Sequence, residues 1–261
     1  MQASPTVLQR EPLSPAEAPR DGDGGGRAPP PHARQRDDVA VLLLAELAPG
    51  ALLWGWSRIV LRGGPVRAVQ GLRFARALGS GQRGGFGLKP SLTRQGLFAV
   101  FDGEAAADAF LAGDTVQSYR SHARELCLAK LRATSCRGSW GGQSIGVSAE
   151  VPIGQPVASL TRASIRPHKA LRFWNRSPPA EAALERAQGC LLAMGLGEAP
   201  LLRQATFSVW ESQATMDAYA RSGAHQEAIR ASMQDDWFSE SMFVRFVPLQ
   251  LSGRWKGRHY G

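Results

Sequence analysis

Landmark residues recur along this chain at fixed offsets. A shift of 118 carries Trp56 onto Trp174, Arg58 onto Arg176, Gly71 onto Gly189 and Gly79 onto Gly197. Past an insertion, a shift of 109 carries Arg94-Gln95 onto Arg203-Gln204, Phe98 onto Phe207, Phe101 onto Trp210 and Phe110 onto Tyr219. Near the ends, a shift of 115 carries Gly138 and Trp140 onto Gly253 and Trp255. A longer loop at 79–94 in copy one and a longer helical stretch in copy two account for the changes of offset. Duplication constrains the fold strongly: each copy must be one structural unit, and the pair must bury whatever face a single copy leaves bare.

The copies share an order of local patterns. In copy one, Val39–Leu47 is an apolar run ended by Pro49-Gly50 and reads as a buried strand. Residues 51–62 have helical spacing and stop at Gly63-Gly64-Pro65. Strands follow at 71–79 and 95–102, then a helix from near Gly103, then an apolar strand at 125–132 running on toward Trp140. Copy two gives strand Val157–Ile165, a helix from His168, strands at 190–196 and Arg203–Trp210, a helix from about Gln213, and a strand at 242–251. The order β-α-β-β-α-β is the ferredoxin-like α+β unit, whose helices cover one sheet face and leave the other apolar. The expectation is two tandem ferredoxin-like units, 39–142 and 157–256, joined by a linker at 143–156. Their bare faces meet in an intramolecular dimeric α+β barrel.

Residues 1–38 stand apart. They hold seven prolines, the run Gly24-Gly25-Gly26 and almost no large apolar side chains, so they read as a disordered tail. The tail lacks the apolar core of a secretory signal, and its six acidic residues argue against an organelle transit peptide. The whole chain is +9, and the remainder after the tail holds 26 basic and 16 acidic residues. A basic surface suits an anionic membrane or an acidic protein, although arginine-rich composition alone would also produce it. No zinc-finger spacing, helix-turn-helix or basic zipper is present, so nucleic acid is not the expected partner. Cys127, Cys136 and Cys190 lie far apart in apolar runs and read as buried, reduced thiols of a cytoplasmic protein. The most apolar stretch, 39–56, is interrupted by Glu46 and Pro49-Gly50 and is unsuited to a membrane span. At most the protein is peripheral at the inner face of the membrane.

Differences between the copies point to chemistry. His225, with Ala218, Ser222 and Ile229, falls on one helical stripe of small and apolar residues, and its counterpart under the 109 shift is Val116. A neutral imidazole on such a face can ligate a haem iron and leave the opposite position open. The ordinary alternative is a partly buried histidine with a routine hydrogen bond. No histidine pair has metal-ligand spacing. Gly142-Gln-Ser-Ile-Gly146 matches a hydrolase elbow in letters but sits in the linker. The glycines at 79–87 lack the ending of a phosphate loop and read as a hairpin insertion. Rings gather in copy two; Trp174, Phe207 and Trp210 are the candidate pocket for a long apolar ligand. Arg172 and Arg203 are candidates to neutralise haem propionates, since arginine pairs well with carboxylates.

Three strings carry a family resemblance: Ala199-Pro-Leu-Leu-Arg-Gln-Ala-Thr-Phe-Ser-Val-Trp-Glu-Ser212; Ala224-His225 with Ile229-Arg230; and Trp237-Phe-Ser-Glu-Ser-Met-Phe-Val-Arg-Phe246. Together with Ser164-Ile-Arg-Pro167 and Leu171-Arg-Phe-Trp174, they resemble the spheroidene monooxygenase family. The likeness is strongest over 157–255 and weaker, in the same order, over 39–140. It implies an oxygenase that forms a ketone at C2 of an acyclic carotenoid, using haem, dioxygen and electrons from reduced ferredoxin. It also implies that His225 is the iron ligand. Two alternatives stay open from the sequence: a haem-free monooxygenase of the same fold, and a protein that carries haem or carotenoid without catalysis.

Overall fold

A computed structural model of the chain describes residues 36–60, 66, 69–82, 90–199, 202–221, 223, 226–227, 230–231 and 235–261, apart from the side chains of 176–182, 185 and 199. The first half runs β1 (Val39–Leu47), α1 (Leu52–Val60), β2 (Leu72–Gly81), β3 (Pro90–Phe101), α2 (Glu104–Ala112), α3 (Asp114–His122) and β4 (Ala123–Gly138). The second runs β5 (Val157–Ile165), α4 (Ala170–Glu185), β6 (Cys190–Ala199), β7 (Arg203–Trp210), α5 (Gln213–Ala220), β8 (Phe238–Trp255) and β9 (Arg258–Tyr260).

The strands form one sheet in the order β4-β1-β3-β2-β6-β7-β5-β8-β9, and β4 also pairs with β8. The sheet therefore closes on itself, with β9 as a short addition to the end of β8. This is the expected barrel of two ferredoxin-like units. Strand registers reproduce the sequence offsets: Val39 faces Phe101 in the first half, and Val157 faces Trp210 in the second. The two seams between halves are symmetric as well. Gly79 pairs with its own counterpart Gly197, while Cys127–Gly253 and Gly138–Met242 are equivalent pairs on β4 and β8.

Alternation along β1 shows how the barrel fills. Ala40, Leu42 and Leu44 join the interior cluster, whereas Val39, Val41, Leu43 and Ala45 pack toward the helices. Both faces are covered, so the strand reads as a continuous apolar run. The interior is filled by side chains including Phe98, Phe207 and Phe246, each fully buried. A barrel of this size has room for its own side chains and no open lumen.

Several boundaries differ from expectation; β3, for instance, begins at Pro90, inside the expected hairpin insertion. Asp38, placed at the end of the tail, is 1% exposed; it ion-pairs with Arg73 and accepts the Gly146 N–H at 2.7 Å. A carboxylate with two inward partners belongs to the body. The helix after Gly103 is two helices, because the chain turns at Gly113. Finally, β8 outruns its expected 242–251 at both ends, while β4 runs on toward Trp140 as expected; each pairs within its own unit and then continues along the other to close the barrel.

Candidate functional site

β4 and β8 are antiparallel, so Trp140 past the end of β4 and Trp255 at the end of β8 plug opposite ends of the barrel; each is 1% exposed. The shift of 115 relates them, yet the two ends differ in chemistry. At the Trp140 end, Arg162 stands on the interior face of β5, where the first half has Leu44. Glu198 stands where it has Ser80, and Arg76 occupies the position of Met194. The charged set forms one network. Arg162 donates to Glu240 at 2.5 Å and to Glu198 at 3.4 Å, and Arg76 pairs with Glu198 at 3.2 Å.

Glu240 is also held by the Ser139 hydroxyl at 2.8 Å and the Gly142 N–H at 3.1 Å. Burial alone would raise its pKa, but the N–H groups of Gly142 and Gly141, the Ser139 hydroxyl and Arg162 outweigh that and hold it at about 2. At the opposite end the turn geometry is kept: Glu125 accepts the Gly257 N–H at 3.0 Å. With Leu44 in place of an arginine, Glu125 Oε2 has no partner among the described residues.

A cavity of about 680 Å3 lies beside Trp140. Ile59 of α1, with Leu72, Phe74, Ala75 and Ala77 of β2, gives it an apolar wall, and Arg73, Arg76, Arg162, Arg203, Glu198 and Glu240 give it a charged one. Arg162 is 3% exposed, and its Nε is buried without a partner among the described residues; so is the indole N–H of Trp140. The guanidinium carbon of Arg162 lies 5.7 Å from the centre of the Trp140 ring. Unpaired buried donors beside a cavity leave room for an oxygen acceptor, and several arginines suit a carboxylate. A smaller cavity of about 340 Å3 lies in the first half between α1, α3 and the sheet. His122 stacks on Trp54, a residue lining that cavity, with ring centres 4.2 Å apart.

The residues expected to form the site are distributed as follows. His225 lies outside the described residues. Its counterpart Val116 is fully buried on α3, packed into the layer between helices and sheet. Arg203 is exposed at the start of β7 and lines the larger cavity; Arg172 is exposed on α4. Trp174 is half-buried on α4, edge-on to Phe173 at 5.2 Å. Phe207 and Trp210 are not brought together. They are three residues apart on one strand, so Phe207 enters the barrel interior while Trp210 packs under the helices against Tyr219 at 5.2 Å.

The sequence reading missed Arg162, Glu198 and Glu240. The signal was available in the offset of 118, which sets Arg162 against Leu44 and Glu198 against Ser80. Among the described residues no group of three or more His, Cys, Asp or Glu could hold a metal ion. Burial pushes the Cys127 thiol up to about 12 and Cys190 up to about 11. None of the three cysteines is in a disulfide.

No protein-family model matches the chain. Whole-chain relatives do. Spheroidene monooxygenase of Rubrivivax gelatinosus is 60% identical over 233 residues, covering 89% of this chain and 90% of that protein. Spheroidene monooxygenase of Rhodobacter capsulatus is 37% identical over 213 residues, covering 80% and 88%. Among solved structures, an anthrone oxidase-like protein is similar over 84% of this chain and 94% of its own, at 13% identity and a TM-score of 0.31. SnoaB, a cofactor-independent oxygenase from Streptomyces nogalater, is similar over 37% and 95%, at 15% identity and a TM-score of 0.31. The extent of the sequence identity decides the assignment: the chain belongs to the spheroidene monooxygenase family.

Proposed function

We propose that this protein converts a methylene at C2 of an acyclic, spheroidene-type carotenoid to a ketone. The observation that carries the reading is the kinship with the Rubrivivax gelatinosus protein over nearly the whole length of both chains. Two oxygen insertions occur at one carbon, each consuming one dioxygen, two electrons and two protons and releasing one water. The resulting gem-diol loses water to give the ketone. Reduced ferredoxin is the proposed electron source, and the chain's net charge of +9 favours an acidic donor.

Haem is the proposed cofactor, with His225 as its iron ligand and Arg203 and Arg172 as partners for its propionates; when bound, it supplies oxygen activation. The donor set fits a group bearing carboxylates, because Arg203 lines a cavity in which the buried Nε of Arg162 has no partner among the described residues. The location of Val116 in the helix–sheet layer supports an inward-facing role for the position His225 occupies in the second half.

The packed barrel interior leaves no path for a polyene, so the chain end of the substrate belongs in the cavity beside Trp140. There Ile59, Leu72 and Phe74 offer an apolar contact. The protein's own work is to seat that chain end and exclude water from it. The remaining polyene stays in or near lipid, which places the enzyme at the inner face of the membrane as a peripheral protein. No helix among the described residues is long and apolar enough to cross a membrane.

The test is product analysis after expression in a host that makes acyclic carotenoids. A keto product, heavier by one oxygen and lighter by two hydrogens, is expected. Unchanged carotenoid beside folded, soluble enzyme and a working electron donor overturns the reading. The haem assignment has its own readout: a Soret band in purified protein that is lost in His225→Ala.

A further inference from the structure

We propose that α1 is a bilayer-docking helix, seating the enzyme on anionic lipid through Leu53, Trp56 and Val60. The idea rests on the carotenoid reading above, because it answers how a water-insoluble polyene reaches a cavity in a compact protein. Leu53 is 89% exposed, Val60 73% and Trp56 37%. Spacings of three and four place them on one stripe of the helix. The opposite side is committed to the fold: Gly55 is buried, where a side chain would collide with Leu47 and Gln95. Large apolar side chains are usually scattered singly over a protein surface; three aligned on one helix mark an interaction site.

Two observations select lipid as the occupant. The first is charge: α1 carries no acidic residue, in a chain of net charge +9, which favours an anionic headgroup surface. A tryptophan in the stripe suits the headgroup level, where an amphipathic ring has one apolar and one wet end. The second is continuity with the site. Ile59, adjacent to Val60, lines the cavity beside Trp140. The outer stripe and the cavity wall thus come from one short helix, and a polyene leaving the bilayer at α1 has an apolar surface to follow inward. The duplication keeps part of the stripe: Leu171 on α4, the counterpart of Leu53, is 76% exposed.

Sedimentation of the full-length protein with vesicles of equimolar phosphatidylcholine and phosphatidylglycerol tests the proposal. The parent protein is expected to pellet with them. The double variant Leu53→Glu, Val60→Glu is expected to lose binding roughly tenfold or more, since each leucine-sized side chain removed from lipid forfeits about that factor. Both positions are exposed, so the variant folds, as circular dichroism will verify. Ile153→Glu is the control: Ile153 is 99% exposed but lies in the linker, and its variant is expected to bind as the parent does. Parent protein that stays in the supernatant overturns the proposal, as does a double variant that pellets normally. A double variant that turns a parent dimer into a monomer also overturns it, by showing the stripe to be an interface between copies. Turnover of detergent-dispersed carotenoid separates this proposal from the function: the double variant should retain it while losing turnover of vesicle-borne carotenoid. Absence of turnover by the parent in detergent counts against the carotenoid reading and leaves the vesicle result standing.

Discussion

Arg162 is buried at 3% exposure at the Trp140 end of a barrel interior filled mainly by apolar side chains. A guanidinium is stable there only because Glu240 and Glu198 receive two of its nitrogens; the third, Nε, has no partner among the described residues. Glu240 makes this arrangement testable by pH. Its carboxyl titrates near 4.5 when free of the fold and at about 2 within it. The folded protein therefore takes up that proton less readily than the unfolded chain does. The stability contributed is fully present above about pH 4.5 and is lost as pH falls toward about 2. The gap in melting temperature between the parent and Glu240→Gln should be widest near neutrality and close in strong acid. A gap independent of pH would show that Glu240 acts by shape and not by charge.

At the scale of elements, closure of the barrel depends on two glycines that the duplication makes equivalent. Gly138 sits at φ 79° and Gly253 at φ 102°, where a side chain would strike the backbone oxygens of Ser241 and Leu126 respectively. Gly138→Ala and Gly253→Ala should each destabilise by about 1–3 kcal/mol or more in urea unfolding, and by similar amounts, since both strain and contact are duplicated. Either variant matching the parent would mean the β4–β8 seam is not a tight joint. Strands such as Val39–Leu47, Val157–Ile165 and Arg203–Trp210 were legible in the sequence to the residue, because short apolar runs bounded by turn residues set their own limits. The full length of β8 was not, since its C-terminal end is set by pairing with β9 and with β4 of the other half, more than a hundred residues away. The site divides the same way. Arg203 was readable as a candidate and does line the cavity. The Arg162–Glu240–Glu198 network was not, because its members come from β5, β6 and β8 of the second half, far apart in sequence and set beside one another only by the folded sheet. Phe207 and Trp210 were grouped by composition, and the two-residue period of the strand separated them.

For the whole molecule, the duplication predicts that the covalent link between halves is dispensable. The halves meet along β2–β6 and β4–β8, and the interior is shared: Leu42, Phe98, Phe207 and Phe246 belong to one cluster drawn from both. A half alone would expose the inner face of its sheet, a large apolar surface that makes an isolated unit aggregation-prone. The first part of the linker packs on the body, with Ile145 buried in the shared interior, but its later part carries little of this burden, as Val151 and Ile153 are exposed at 42% and 99%. A chain cut at 152–154 and co-expressed as two polypeptides should therefore assemble into a non-covalent pair that co-purifies, while each piece expressed singly forms inclusion bodies. Stability should become dependent on concentration, because the joint is now bimolecular. The cavity beside Trp140 draws Arg73 and Trp140 from one half and Arg162 and Glu198 from the other, so whatever turnover the parent shows should return with the pair. Two soluble halves that ignore each other, or one half that is fully active alone, would contradict a barrel whose core and cavity are built jointly.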